Sequence, residues 1–188
     1  VIDEIAQFGD LILSGQWGDV LFDVPGIGYK TDLDEQTHYI INKVAKPGGM
    51  ELAAELWKHW ELEGEFQQNF FNTIRDLLCD IDIENPSSRV RAFKSLHWAP
   101  RWANPNLQVF ASHREMFLPY YHDDICNFIC TVPDKYLADR KIQIEYIKRK
   151  APELARVPWQ AYDLDLYNYR NFNTIYFPRR VYRYVRRI

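Results

Sequence analysis

Apolar positions along the chain follow two rhythms. One continuous run, Leu11-Ile12-Leu13, leads into small Ser14 and Gly15 and reads as a short buried strand. Elsewhere the apolar residues recur at helical spacing. That spacing predicts helices over 33–45 and 50–62, the latter on Leu52, Leu56 and Trp60, with Gly48 and Gly49 breaking the two apart. After Gly64, the residues Phe66, Phe70, Ile74, Leu77, Leu78 and Ile81 trace one apolar stripe. The segment 84–88 reads as a loop, with Ser87 or Ser88 as the cap of a short helix over 89–98. Pro100 and Pro105 are expected to fragment the chain before a helix over 106–112. Further helices are predicted over 123–131, ending near Pro133, and over 143–150. From Ala151 the pattern turns irregular, and the closing segment regains helical spacing.

The expected fold class is therefore mainly α, with about seven helices and one short residual strand. A lone strand cannot satisfy its backbone groups, so its partners are expected upstream of Val1. The chain opens on Val-Ile-Asp and ends inside a basic, aromatic run, and both ends read as cut from a longer protein. At 188 residues it reads as a single domain over 1–188.

Composition narrows the classes. A net charge of −3 makes no case for nucleic acid or an anionic membrane as a general partner. No apolar run approaches the roughly 20 residues of a membrane span, and no signal peptide is visible. Three cysteines, Cys79, Cys126 and Cys130, fit buried free thiols in a cytoplasmic protein better than a disulfide frame.

The strongest candidate chemistry is the strand that empties into Ser14-Gly15 and then presents Asp19. Such a turn often marks where an α/β sheet meets its ligand, although a plain strand-to-helix turn with Asp19 as a cap also fits. Glu115 suits a structural ion pair as well as it suits substrate binding. His59, His97 and His113 have no metal-ligand companions at the right spacing. Asp123 and Asp124 read as first-turn acids that complement a helix dipole, and Cys126 with Cys130 as packing at i, i+4. The tail carries Arg179, Arg180, Arg183, Arg186 and Arg187 among Tyr182 and Tyr184, which reads as one basic helix face rather than an RNA contact. Before it, Trp159, Tyr162, Tyr167, Tyr169, Phe172, Tyr176 and Phe177 read as a docking surface, for instance for a second copy.

Two blocks taken together resemble the synthetase domain of the glutamine-hydrolysing asparagine synthase family. "LILSGQWGDVLFD" is similar to the family's apolar strand followed by Ser-Gly, an acid or amide, Gly, any residue, Asp and Glu; Ser14, Gly15, Asp19, Leu21 and Phe22 match. "HREMFLPYYHDDICNFICTVPDKYL" is similar to the segment Glu-x-Arg-x-Pro-Phe-Leu-Asp, with Glu115, Pro119, Tyr120, Phe128, Pro133 and Tyr136 in register. "IEYIKRKAPELARVP" is similar to the Lys-x-Ile-Leu-Arg helix, with Ile147 and Arg149 in place. The resemblance spans roughly residues 8–158.

It implies the C-terminal part of an ATP-pyrophosphatase α/β domain, of the adenine-nucleotide α-hydrolase type. The whole protein would adenylate a small-molecule or sugar-linked carboxylate, release pyrophosphate, and let ammonia from glutamine displace AMP. Ser14 and Gly15 would hold pyrophosphate and Asp19 would hold Mg2+ beside ATP. Gln16 takes the place of the family's acid, and Lys141 (or Lys148) with Arg149 would meet the phosphate charge. Departures are Gln16, which cannot act as a general base, Trp17 where the family has glycine, and Val20 where it has Glu. In the second block Phe117 and His122 replace the family's Arg and Asp, and on the late helix Glu145 replaces its Lys. The family's phosphate loop, Ser-Gly-Gly-x-Asp-Ser, is not among these residues, so this stretch alone is expected to be inactive. Two other readings stay open: a relative that has lost adenylation, and a helical protein-interaction module.

Overall fold

The computed structural model describes residues 9–173. The chain divides into two compact units, Val1–Val132 and Pro133–Ile188. It is mainly helical, as the apolar spacing predicts, and no helix among the described residues is long and apolar enough to cross a membrane.

In the first unit, β1 (Leu11–Leu13) is followed by a one-turn helix, α1 (Gly18–Leu21), and then by α2 (Leu33–Val44), α3 (Gly49–His59), α4 (Phe66–Cys79) and α5 (Pro86–Phe93). Helix α2 starts at Asp32, whose carboxylate accepts the Glu35 N–H at 2.8 Å while Glu35 accepts the Asp32 N–H at 3.2 Å. This reciprocal box satisfies two of the orphan donors at the helix start. Helix α2 packs on α4 and both meet α5, so that Ile40, Ile74, Leu78, Ile81, Val90 and Phe93 form the main core. The stripe read from Phe66 to Ile81 supplies half of these positions.

Helix α5 begins earlier than its spacing predicts. Its cap is Asn85, which accepts the Ser88 N–H at 3.0 Å, with Pro86 at the first helical position, where a missing N–H costs nothing. Ser87 and Ser88 are therefore inside the helix rather than at its cap, and the Ser87 hydroxyl is buried without a partner.

The prolines do not fragment the chain. From α5 the backbone continues through a wider helical stretch, Lys94–Ala103, into α6 (Asn104–Ala111). At its end Asn104 donates to the Ala99 carbonyl five residues back. A wider turn moves the carbonyl that an α-helix would drive into the Pro100 ring. It also brings Lys94, Ala99 and Ala103, spaced by five and then four, onto the buried side. Pro105 sits in the first turn of α6, where proline is tolerated.

The single-strand expectation is also corrected. A second strand, β2 (Glu115–Phe117), pairs with β1 in parallel, Leu11 opposite Glu115, Ile12 opposite Met116 and Leu13 opposite Phe117. Three residues between Arg114 and a proline-bearing turn are too few to show a period of two, so the strand left no pattern. Leu11, Leu13 and Phe117 are half exposed or more, although parallel sheets are normally covered on both faces. Beyond β2, a turn of 3-10 helix over Pro119–Tyr121 leads to α7 (Asp123–Thr131), with Asp123 and Asp124 in its first turn as expected. His122 caps α7 by accepting the Asp124 N–H at 3.3 Å.

All three cysteines are free, but burial is confined to one: Cys79 and Cys130 are exposed and Cys126 is partly buried. Each of the exposed thiols falls on the solvent side of its helix, a phase that apolar neighbours in the sequence concealed.

The second unit opens with α8 (Asp134–Leu137), a tight turn over Ala138–Arg140, α9 (Lys141–Lys150) and α10 (Pro152–Ala155). An irregular stretch then returns through Leu166, which donates to the Ala155 carbonyl at 2.9 Å, to a 3-10 segment, Tyr169–Asn173. Leu137, Ile144, Ala155 and Tyr169 are its buried apolar residues among those described. Trp159, Tyr162 and Tyr169, expected on a docking surface, pack on one another, and of the three only Tyr169 is buried. The arginine-rich tail over 179–187, with Tyr176 and Phe177, lies outside the described residues.

Candidate functional site

Parallel pairing places the carboxyl ends of β1 and β2 at the same edge. The ladder continues one residue past the strands, with Ser14 donating its N–H to the Phe117 carbonyl at 3.0 Å. There the chain from β1 turns through Ser14, Gly15 and Gln16. The Ser14 hydroxyl accepts the Gln16 N–H at 3.2 Å, and the Gly15 carbonyl accepts the Gly18 N–H at 3.2 Å. The N–H groups of Gly15 and Trp17 make no hydrogen bond among the described residues.

Ser14, Gly15 and Gln16 line a cavity of about 300 Å³ together with Asn106, Phe110 and Met116. Gly15 is not required by the fold: its φ is not positive, and a Cβ there would meet nothing within 4 Å. Gly18 differs. A Cβ on Gly18 would lie 2.5 Å from the Tyr120 ring, which is held from another side by Phe22 at a 5.6 Å centroid separation. The bare backbone at Gly18 thus lets the turn approach the segment that follows β2.

Trp17 does not point its bulk into this cavity. Its φ of 73° is left-handed, a conformation that glycine adopts without cost, and Trp17 occupies the glycine position of the resembled pattern. The side chain turns inward, 6% exposed, onto Ala99 and Ala103 of the wide helical stretch. Its indole N–H donates to Ser95 Oγ at 3.3 Å. A second tie fixes the far end of the turn: the Lys94 amine, its side chain 6% exposed, lies 3.1 Å from the Asp23 carboxylate. The turn is therefore clamped at both ends to Lys94–Ala103. Neither clamp was legible from sequence spacing, because both partners are distant in the chain.

Asp19 is exposed in α1, and its Oδ1 accepts the N–H of the adjacent Val20 at 3.0 Å. It is not among the residues lining the cavity. Lys141 and Arg149 belong to the second unit, both on α9. The Lys141 amine donates to the Lys135 carbonyl at 3.3 Å, Arg149 is exposed in the last turn, and Lys148 pairs with Glu145 at 3.2 Å. Glu115 is exposed and enters no ion pair among the described residues.

The cavity lining holds a hydroxyl, amides and open backbone donors, but no cation. No group of three His, Cys, Asp or Glu side chains that could hold a metal gathers among the described residues. These residues by themselves do not fit a magnesium-bound triphosphate. They fit a small polar group presented at the strand ends.

No protein-family model matches the chain, and no curated protein or solved structure matches it either.

Proposed function

We propose that the chain is the C-terminal part of an asparagine-synthase-like domain, within an ATP-dependent ligase that forms an amide from an activated carboxylate and ammonia released from glutamine. One observation carries this reading. The two segments on which the resemblance rests, distant in sequence, lie side by side in a parallel pair, with Ser14 and the Pro119 turn at one edge. Ligands of open α/β sheets bind outside the carboxyl ends of the strands. The left-handed backbone at Trp17 adds support, because such a position favours the glycine that the resembled pattern has there. Leu11, Leu13 and Phe117 are large apolar side chains left open on one face of a parallel pair, as suits a sheet face that another layer covers.

On this reading Ser14 and Gly15 receive the anion at the strand end through the Ser14 hydroxyl and the open N–H groups. Gln16 lines the same cavity and orients by hydrogen bonding, since an amide takes no proton as a base. Trp17 and Lys94 keep the turn in place. Asp19 is the carboxylate that the resemblance assigns to Mg2+, and it stands outside the cavity lining. The triphosphate itself requires a phosphate loop from another part of the protein, so no chemical step is assigned to this stretch alone.

The reading frame upstream of Val1 is the simplest test. A Ser-Gly-Gly-x-Asp-Ser sequence following an apolar run is expected there; a complete frame without it removes the ligase reading. ATP–pyrophosphate exchange by the complete polypeptide tests Asp19: exchange drops in Asp19→Asn, and equal exchange in both takes Asp19 out of the site.

A further inference from the structure

The second unit holds a cavity of about 460 Å³, within the range of small-molecule sites. Among the described residues, Asp139, Arg140, Trp159, Tyr162, Tyr169 and Arg170 define it. Three rings make one wall, with centroid separations of 4.7 Å for Trp159–Tyr162 and 5.7 Å from each of these to Tyr169. The Arg140 guanidinium lies 5.6 Å from the Trp159 ring centre. Arg170 lies 5.8 Å from the Tyr169 ring and donates Nε–H to the Tyr169 hydroxyl at 3.1 Å.

The cavity is rich in donors and poor in acceptors. The Arg140 side chain makes no hydrogen bond or ion pair among the described residues, and neither does the Trp159 indole N–H. Arg170 commits only Nε to a hydrogen bond, while the Asp139 and Glu145 carboxylates act on its charge from further off. Asp139 is the one carboxylate on the lining.

Backbone strain gathers at the same place. Asp139 and Arg140 are consecutive left-handed residues with φ of 55° and 58°, and Asp163 has φ of 53°. A left-handed backbone strains any residue that carries a Cβ. That strain is characteristic of positions where the chain must aim a side chain at a ligand.

We propose that this cavity binds a small sugar phosphate. A planar carboxylate is satisfied by the fork of a single guanidinium. Two guanidinium groups arriving from separate elements instead suit a tetrahedral dianion with acceptors on several sides. Asp139 then accepts from sugar hydroxyls, and the aromatic wall covers the C–H face of the sugar. The site stands independently of the ligase reading, since it uses none of the residues assigned there.

Calorimetric titration of the 188-residue chain with ribose 5-phosphate, inorganic phosphate and ribose tests the proposal. Ribose 5-phosphate binds at one site, inorganic phosphate binds more weakly, and ribose weaker still. Arg170→Gln and Arg140→Gly each weaken ribose 5-phosphate at least about tenfold, as expected for a charge-assisted hydrogen bond. Arg140→Gly removes the guanidinium and relieves the left-handed strain together, so its melting temperature holds or rises while binding falls. No binding of ribose 5-phosphate up to about 10 mM, where an affinity of only a few kcal/mol would still register, overturns the proposal. Unchanged affinity in both variants, or inorganic phosphate binding as tightly as the ester, overturns it equally.

Discussion

Ser14 and Phe117 are joined by a backbone hydrogen bond of 3.0 Å, from the Ser14 N–H to the Phe117 carbonyl. That bond extends the parallel pair past its last strand residues and brings two distant segments to one edge. Their local fit depends on Gly18, where the turn passes close to the Tyr120 ring.

Gly18→Ala is accordingly expected to destabilise the first unit by about 1–3 kcal/mol, the usual cost of overpacking. Removing the ring that the new methyl meets should recover most of this loss. In a double-mutant cycle followed by urea unfolding, Gly18→Ala with Tyr120→Ala is less destabilised than the sum of the two single variants. Additive losses would show that Tyr120 is not the obstacle.

Lys94 places a nearly buried amine against Asp23. Asp23 is itself 40% exposed, so Asp23→Ala is expected to cost about 1–2 kcal/mol, less than breaking a fully buried pair. Lys94→Met, which removes the buried charge and keeps the packing volume, costs less. Chemical unfolding of the two variants checks the order, and a larger loss for Lys94→Met would contradict the clamp.

Tyr121 packs against Trp17 at a centroid separation of 6.4 Å, and its hydroxyl is buried without a partner. Burial pushes its phenol above the usual tyrosine range. Tyr39 moves the same way, through burial first and the Asp23 carboxylate second. The folded state thus favours both neutral phenols. Their contribution is complete below the ordinary tyrosine range and is lost as pH rises through the raised folded values. Tyr121→Phe removes an unpaired polar atom, so it should be neutral or stabilising at pH 7. It should also flatten the alkaline fall in stability, measured as melting temperature against pH. An unchanged alkaline slope would take Tyr121 out of that linkage.

The helical part of the fold was legible because its signals are local. The Phe66 to Ile81 stripe and the Asp123–Thr131 helix each carry their own period, and the structure keeps them. What sequence reading missed has other causes. β2 is too short for a pattern, the Pro100 stretch survives by widening its turn, and Asn85 outcompetes the serines as a cap. At the candidate site, Ser14, Gly15 and Gln16 were readable as a strand-end turn, and the structure brings them to one cavity. The inward turn of Trp17 was not readable, because bulk alone does not say which way a side chain points.

Gly15 offers the most direct test of the central claim. A Cβ at this position meets nothing in the fold, so Gly15→Ala should leave stability unchanged within about 0.5 kcal/mol, as for other substitutions in open space. On the ligase reading the same methyl intrudes where an anion approaches the strand end. In the complete polypeptide, wild type is expected to catalyse carboxylate-dependent ATP–pyrophosphate exchange. Gly15→Ala is expected to lower it by about 10²-fold, the scale of losing an aligned donor. Wild type without exchange, or equal exchange in both proteins at equal stability, would contradict the account.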